Sequence, residues 1–177
     1  MEAILPSMED GPDAVERIVG QWRAIRPELD ATPLLVIGRL QRLAAELDAR
    51  LRPPFAAAGL ANGDFDLLAT LRRQAPSYAA SPGELAAAML VTTGATTKRI
   101  DRLEQQGLVT RRASATDGRG RVIKLTAAGR RLVDRLIAVH LANEAAILEP
   151  LGAAKRAALA DLLAELTMIV EGATQRA

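Results

Sequence analysis

A mainly α-helical chain carrying one small β-hairpin is what this sequence predicts, and three observations carry that prediction. Apolar residues make up 49% of the 177 residues but aromatics only 2%, so the core is built of Leu, Ile, Val and Ala, a mixture that favours helices over sheets. Apolar side chains recur at helical spacing through most of the chain, between recognisable caps and prolines. Only two short segments, 109–113 and 121–125, read as strands, and they flank a polar loop with two glycines at 114–120.

The first helix opens at Asp13, with Glu16 three residues on completing a capping box. Its stripe is Val15, Ile18, Val19, Trp22 and Ile25, and Pro27 stops it. A second starts at Thr32-Pro33, a cap followed by proline at the first helical position, and its stripe Val36, Leu40, Leu43, Leu47, Leu51 runs to Pro53-Pro54. A third covers about 63–75 with Phe65, Leu68 and Leu71 inward. Ser81-Pro82-Gly83-Glu84 is another capping box and opens a short helix, Leu85 to about Leu90. Val91-Thr92-Thr93 form a turn, and a further helix runs from Gly94 to Gln106, ended by Gly107 in the left-handed cap position. Thr126 caps a long helix over 127–148, marked by Leu132, Leu136 and Val139 and ended by Pro150. A last helix over 153–172 carries Leu159, Leu162, Leu163, Leu166, Ile169 and Val170.

Two short helices about a three-residue turn form a helix-turn-helix pattern, and the hairpin that follows makes it winged. The expected organisation is one compact chain: N-terminal helices over 1–60, a winged helix-turn-helix over 61–126, and C-terminal helices over 127–177. The terminal helices are too apolar to stand alone and need each other or a second copy of the chain.

Composition excludes several function classes. There are no cysteines, hence no disulfide, thiolate metal site or Cys nucleophile. His140 is the only histidine, which leaves no His-based metal site and no triad, and it is read as a helix residue near a dimer interface. Gly118-Arg-Gly120 sits in a hairpin rather than between strand and helix, so no phosphate loop is present. No enzyme, metal or cofactor is expected. The opening residues lack the basic start of a signal peptide, and no run of 18 apolar residues is free of charge, so a cytoplasmic protein without a membrane span is expected.

The net charge is only +2, but the window 98–124 holds eight basic residues against three acids. Such clustering is the footprint of a polyanion contact. Twenty of the 23 basic residues are Arg, which suits bidentate phosphate and base recognition, although a GC-rich genome gives the same bias. On a helical wheel Thr96, Arg99, Ile100 and Leu103 point together and inward, while Gly94, Thr97, Lys98 and Asp101 point outward. The outward set is the candidate major-groove surface, with Thr97 and Lys98 reaching base edges or phosphate and Gly94 letting the backbone come close. Asp101 is placed to orient a neighbouring Arg. Arg119, at the hairpin tip and held by Asp117, is the candidate minor-groove contact. Thr93, Arg102, Arg111, Arg112 and Arg121 complete the candidate DNA-contacting set, the last three at phosphate or in solvent. Arg99 shares the inward flank and wants an acidic partner or an anionic ligand. Asp66 is the candidate partner, either as a plain salt bridge fixing the helix or as a pair that a ligand competes for. Trp22 is read either as a core or dimer residue or as a ligand stacker.

Asp117-Gly-Arg119 followed by Leu125-Thr126-Ala-Ala-Gly129 resembles the D-x-R wing and L-T-x-x-G helix start of the MarR family of transcriptional regulators. Arg102-Leu-Glu-Gln-Gln-Gly107-Leu-Val109-Thr-Arg111-Arg112 is similar to that family's join between recognition helix and wing. The resemblance runs from about residue 34 onward. It implies a homodimer with intertwined terminal helices and two winged units on a pseudo-palindromic duplex. Trp22-Arg-Ala-Ile-Arg26, Phe65-Asp66 and Thr93-Gly94-Ala-Thr-Thr-Lys-Arg99 further resemble the urate-responsive subgroup. That likeness implies Trp22, Asp66 and Arg99 as ligand contacts, although one further Arg of the subgroup has no counterpart near Glu84. The expectation is a dimeric DNA-binding repressor relieved by a small anionic or aromatic ligand such as urate or an aromatic acid. The competing expectation, a winged-helix module for protein–protein contacts, has no need for clustered basic residues on helix and wing.

Overall fold

The computed structural model describes residues 11–113 and 121–174, in two compact units divided after residue 50. In the first unit lie α1 (Ala14–Ile25) and all but the last residue of α2 (Leu34–Leu51). The expected capping box is present: the Asp13 side chain accepts from the N–H groups of Val15 and Glu16, and Glu16 Oε2 accepts from Asp13 N at 3.2 Å. Arg39 of α2 donates to Asp13 at 2.7 Å and pairs with Glu16 at 3.1 Å. The Glu16 amide and the Arg39 guanidinium hold the Asp13 carboxyl below the ordinary carboxylate value, so this latch is lost only as the pH falls through that lowered range. Gly38 admits Val15 Cγ1 to 3.2 Å from where a Cβ would stand, and Val15 and Val19 are buried. The stripe of α2 is not covered: no residue of that helix is buried.

The second unit continues with α3 (Pro53–Ala57), α4 (Asp64–Arg73), β1 (Ala79–Ala80), α5 (Pro82–Ala88), α6 (Thr93–Gln105), β2 (Val109–Ala113), β3 (Arg121–Leu125), α7 (Ala127–Leu148), a 3-10 turn at Glu149–Leu151 and α8 (Gly152–Thr174). The Ser81–Glu84 capping box and the Thr126 cap form as expected. Pro53 and Pro54, expected to end α2, also open α3, because proline lacks an N–H and is tolerated in a first turn. The strands form an antiparallel sheet in the order β1-β3-β2. Val109 pairs with Leu125 and Ala113 with Arg121, as a hairpin requires. Strand β1 was not expected, and it pairs Ala79 with Lys124 and Ala80 with Ile123.

Helix α4 is the axis of the core. Leu67, Leu68 and Leu71 are fully buried, together with Leu85, Ile100, Leu103, Val109, Ile123 and Val133 from the elements around it. Thr126 and Gly129 form the joint between sheet and α7. Thr126 Oγ1 accepts from Gly129 N at 3.0 Å and lies 2.8 Å from the Gly107 carbonyl oxygen, to which it donates. A Cβ on Gly129 would stand 2.1 Å from the Leu108 carbonyl oxygen. The helix backbone is therefore laid directly on the backbone leading into β2, an approach only glycine allows. His140 of α7 packs on a stacked pair within this unit, its ring centroid 5.3 Å from Phe55 and 5.4 Å from Phe65.

The outer helices are apolar and uncovered. No described side chain of α8 is buried, and Leu162 and Met168 are 64% and 67% exposed. By length and composition alone, the stretch Ala127–Ala173 contains one window apolar enough to cross a membrane, with a mean hydropathy of 1.2 and 6% of it buried.

Candidate nucleic-acid interface

Helix α6 is oriented by its cap and its apolar flank. Thr92 Oγ1 accepts from Ala95 N at 3.3 Å, and Thr96, Ile100 and Leu103 are buried. The opposite flank, with Thr93, Gly94, Thr97, Lys98 and Asp101, is exposed. Nothing lies within 4 Å of a Cβ built on Gly94. Thr97 Oγ1 donates to the Thr93 carbonyl at 3.0 Å, which leaves its methyl and lone pairs outward. Lys98 makes no ion pair among the described residues. Among the described residues the helix thus presents an open surface whose ammonium makes no ion pair, of a shape that fits a major groove.

Two arginines fasten α6 to the start of α4, and the partners differ from those expected. The Arg102 guanidinium donates to both oxygens of Asp64, Nη2 to Oδ1 at 2.6 Å and Nε to Oδ2 at 3.2 Å. Asp64 is 0% exposed and also accepts from Ala61 N at 2.9 Å. The bond to Asp64 pushes the Arg102 guanidinium above its ordinary value against the opposing effect of burial. Arg102, expected to be free for DNA, is committed here to a bidentate pair. Asp66, expected as the partner of Arg99, is exposed and makes no ion pair among the described residues. Asp64 stands at the N-terminus of α4 where it meets α6, whereas Asp66 lies on the strip of α4 that faces away from the core. Arg99 is half-buried on backbone instead. A Cβ on Gly63 would stand 2.1 Å from Arg99 Cζ, and Arg99 Nη1 lies 3.8 Å from Met89 Sδ.

The wing is fastened to the same helix. The Arg111 guanidinium pairs with Asp101 and Glu104 of α6, and its backbone N–H donates to Glu104 Oε1 at 3.1 Å. Asp101 therefore orients a neighbouring arginine, as expected, and Arg111, expected at phosphate or in solvent, is held within the chain. Arg112 and Arg121 are exposed on the strands. Asp117 and Arg119 lie outside the described residues.

Trp22 belongs to the first unit, and Asp66 and Arg99 to the second. The indole is 48% exposed and lines a hollow of about 230 Å³ with Leu29, Asp30, Ala31, Pro33 and Leu34. Among the described residues no group of three or more His, Cys, Asp or Glu is placed to hold a metal ion. Sequence reasoning missed Asp64, Glu104 and the seat at Gly63. The Asn62-Gly63 turn signal ahead of α4 was the one available pointer to that corner.

Comparisons with known proteins agree with this fold. A family model described as MarR family matches residues 58–120. The curated HTH-type transcriptional regulator PecS of Dickeya dadantii (strain 3937) is 40% identical over 149 residues, covering 84% of this chain and 90% of that protein. Among solved structures, a mutant MarR from E. coli complexed with operator DNA superposes with a TM-score of 0.66 at 26% identity, covering 82% of this chain and 96% of that one. NadR in complex with 4-hydroxyphenylacetate does so with a TM-score of 0.59 at 30% identity, covering 75% and 91%.

Proposed function

The chain belongs to the MarR family of transcriptional regulators, on its PecS-like side, and on that premise we propose that it is a cytoplasmic homodimeric repressor that binds a pseudo-palindromic operator and leaves it when a small anionic or aromatic ligand binds. Its relatives are regulators and not enzymes. The observation that carries the DNA reading is the exposed flank of α6, where Gly94, Thr97 and Lys98 make no ion pair among the described residues and lie next in sequence to a basic hairpin. Lys98 and Arg119 are then the contacts with the largest electrostatic share. Lys98→Ala or Arg119→Ala is expected to weaken operator binding and to reduce the salt slope by about one counterion per site. An unchanged slope removes the residue concerned from the interface. Arg112 and Arg121 serve as phosphate contacts. Arg102 and Arg111 act from behind, by positioning the helix and the wing.

The exposed apolar residues of α8 support a dimer. Leu162, Met168 and Ile169 are each more than half exposed, a patch that a stable monomer rarely leaves open. A second copy, and not a bilayer, is the occupant we propose. Asp161 and Glu165 within α8 would each be costly at a bilayer centre. Light scattering is expected to give the dimer mass at micromolar concentration, and Leu162→Glu with Ile169→Glu to give a monomer or aggregate that no longer binds the operator.

For the ligand, we propose Trp22, whose exposed indole lines a hollow within the first unit, and keep Asp66 and Arg99 as the contacts that the family resemblance implies. The 4-hydroxyphenylacetate bound by NadR is an aromatic acid of the expected class. Release of DNA needs a ligand that binds the DNA-incompetent state more tightly. Tenfold weaker operator binding corresponds to about 1.4 kcal/mol of coupling. Titrating urate and aromatic acids against a preformed protein–DNA complex tests the reading, and the absence of release by all of them defeats it.

A further inference from the structure

Leu90 occupies the turn between α5 and α6 in a backbone slot that belongs to glycine. Helix α5 ends in a complete Schellman motif: Val91 N donates to the Ala86 carbonyl at 3.1 Å and Leu90 N to the Ala87 carbonyl at 3.2 Å. The motif places its penultimate residue in the left-handed region, and Leu90 has φ 53°. For a residue with a Cβ this conformation is sterically disfavoured, because the Cβ crowds the following carbonyl oxygen. Gly107, which ends α6, takes a similar conformation with φ 69° and the expected residue type. Among the described residues the leucine side chain finds nothing to pack on, since Leu90 is 87% exposed, the highest value of the described large apolar residues.

A strained, uncovered leucine in a place that glycine would fill without cost indicates a partner outside the chain. Its position decides which one. Leu90 stands two residues before Thr92, the cap of α6, and four before Gly94, the first open position of the DNA-facing flank. The edges of bases in a major groove carry hydrogen-bonding groups throughout, with one apolar exception, the C5-methyl of thymine. We propose that Leu90 packs against a thymine methyl in each operator half-site and so reads that base. The proposal rests on the DNA reading above and adds to it a specificity-determining residue that is neither charged nor hydrogen-bonding.

The test uses the full chain and a duplex that the parent protein selects from a random pool. Leu90→Gly and Leu90→Asn both suit the left-handed slot, so loss of fold does not obscure the result. Leu90→Gly is expected to raise the Tm by about 2–4 °C while weakening operator binding. One methyl contact is worth about fourfold per half-site and about 15-fold for two. Replacing thymine by deoxyuridine at each position in turn is expected to produce that loss for the parent at one symmetric pair of positions, and none there for Leu90→Gly. Equal operator affinity for parent and Leu90→Gly overturns the proposal, as does a loss that is the same on thymine and uracil duplexes. A change in dimer mass with Leu90→Gly assigns the side chain to a second copy and overturns it too. If the parent selects no sequence from the pool, the DNA reading fails first and this proposal falls with it.

Discussion

Gly129→Ala is expected to destabilise the chain by about 2–3 kcal/mol. A Cβ there meets the Leu108 carbonyl oxygen at 2.1 Å and Leu125 Cδ2 at 3.1 Å. The first obstacle is backbone, which cannot swing aside as a side chain would, so α7 must lift off the strand. Overpacking of this kind costs about 1–3 kcal/mol and occasionally more, while the better helix propensity of alanine returns at most about 1 kcal/mol. Lifting α7 also parts Thr126 Oγ1 from the Gly107 and Leu108 carbonyls, 2.8 and 3.1 Å away, which places the sum in the upper part of the range. Thermal unfolding should fall by about 5–10 °C for a chain of this size. Gly94→Ala is the control, because that position is open and helical, and its Tm should not fall. Equal midpoints for Gly129→Ala and the parent would show that the joint yields without cost.

Asp64→Ala is expected to cost about 2–3 kcal/mol and to weaken operator binding beyond what lost stability explains. Removing one partner of a buried ion pair costs about 3–5 kcal/mol when the other charge is stranded. Here the Arg102 side chain is 40% exposed and turns to water, which lowers the figure, while Ala61 N loses its acceptor. The freed helix end then samples other orientations, so sequence-specific binding drops while non-specific binding holds. Asp64→Ala combined with Arg102→Met should recover part of the stability without the operator affinity, and full additivity in that cycle would show the pair to be uncoupled. Gly63→Ala acts at the same corner by another route: φ is 76° and the new methyl takes the place of the Arg99 guanidinium.

The elements were legible because each has a local signature. Asp13 with Glu16, Ser81 with Glu84, Thr126, Gly107 and the hairpin at 109–125 all announce themselves through caps, turns and residue type, and the structure places each within a residue or two of the expectation. Strand β1 has no such signature, since two alanines become a strand only by pairing with Ile123 and Lys124. The acidic partner at the corner was misread for a related reason. Apolar periodicity locates a buried face when a helix has one, but α4 is buried from Asp64 to Leu71 except at Asp66. With no polar face to set the phase, which of two carboxylates two residues apart turns inward depends on where α6 docks. Arg99 and Arg102 pose the same problem from the other side, being three residues apart on one flank. The apolar residues of α2 and α8 are legible from spacing alone, since helical periodicity needs no partner to show itself.

The Arg111 pin has a consequence for what kind of reader this protein is. One side chain joins the wing's first strand to two carboxylates one turn apart on α6, so strand and helix are pinned as one piece, like the arm and beam of a caliper. On the proposed DNA reading, the spacing of the contacts that strand and helix make within a half-site would then be set by the fold, and adjustment to operators of different length would fall to the joint between copies.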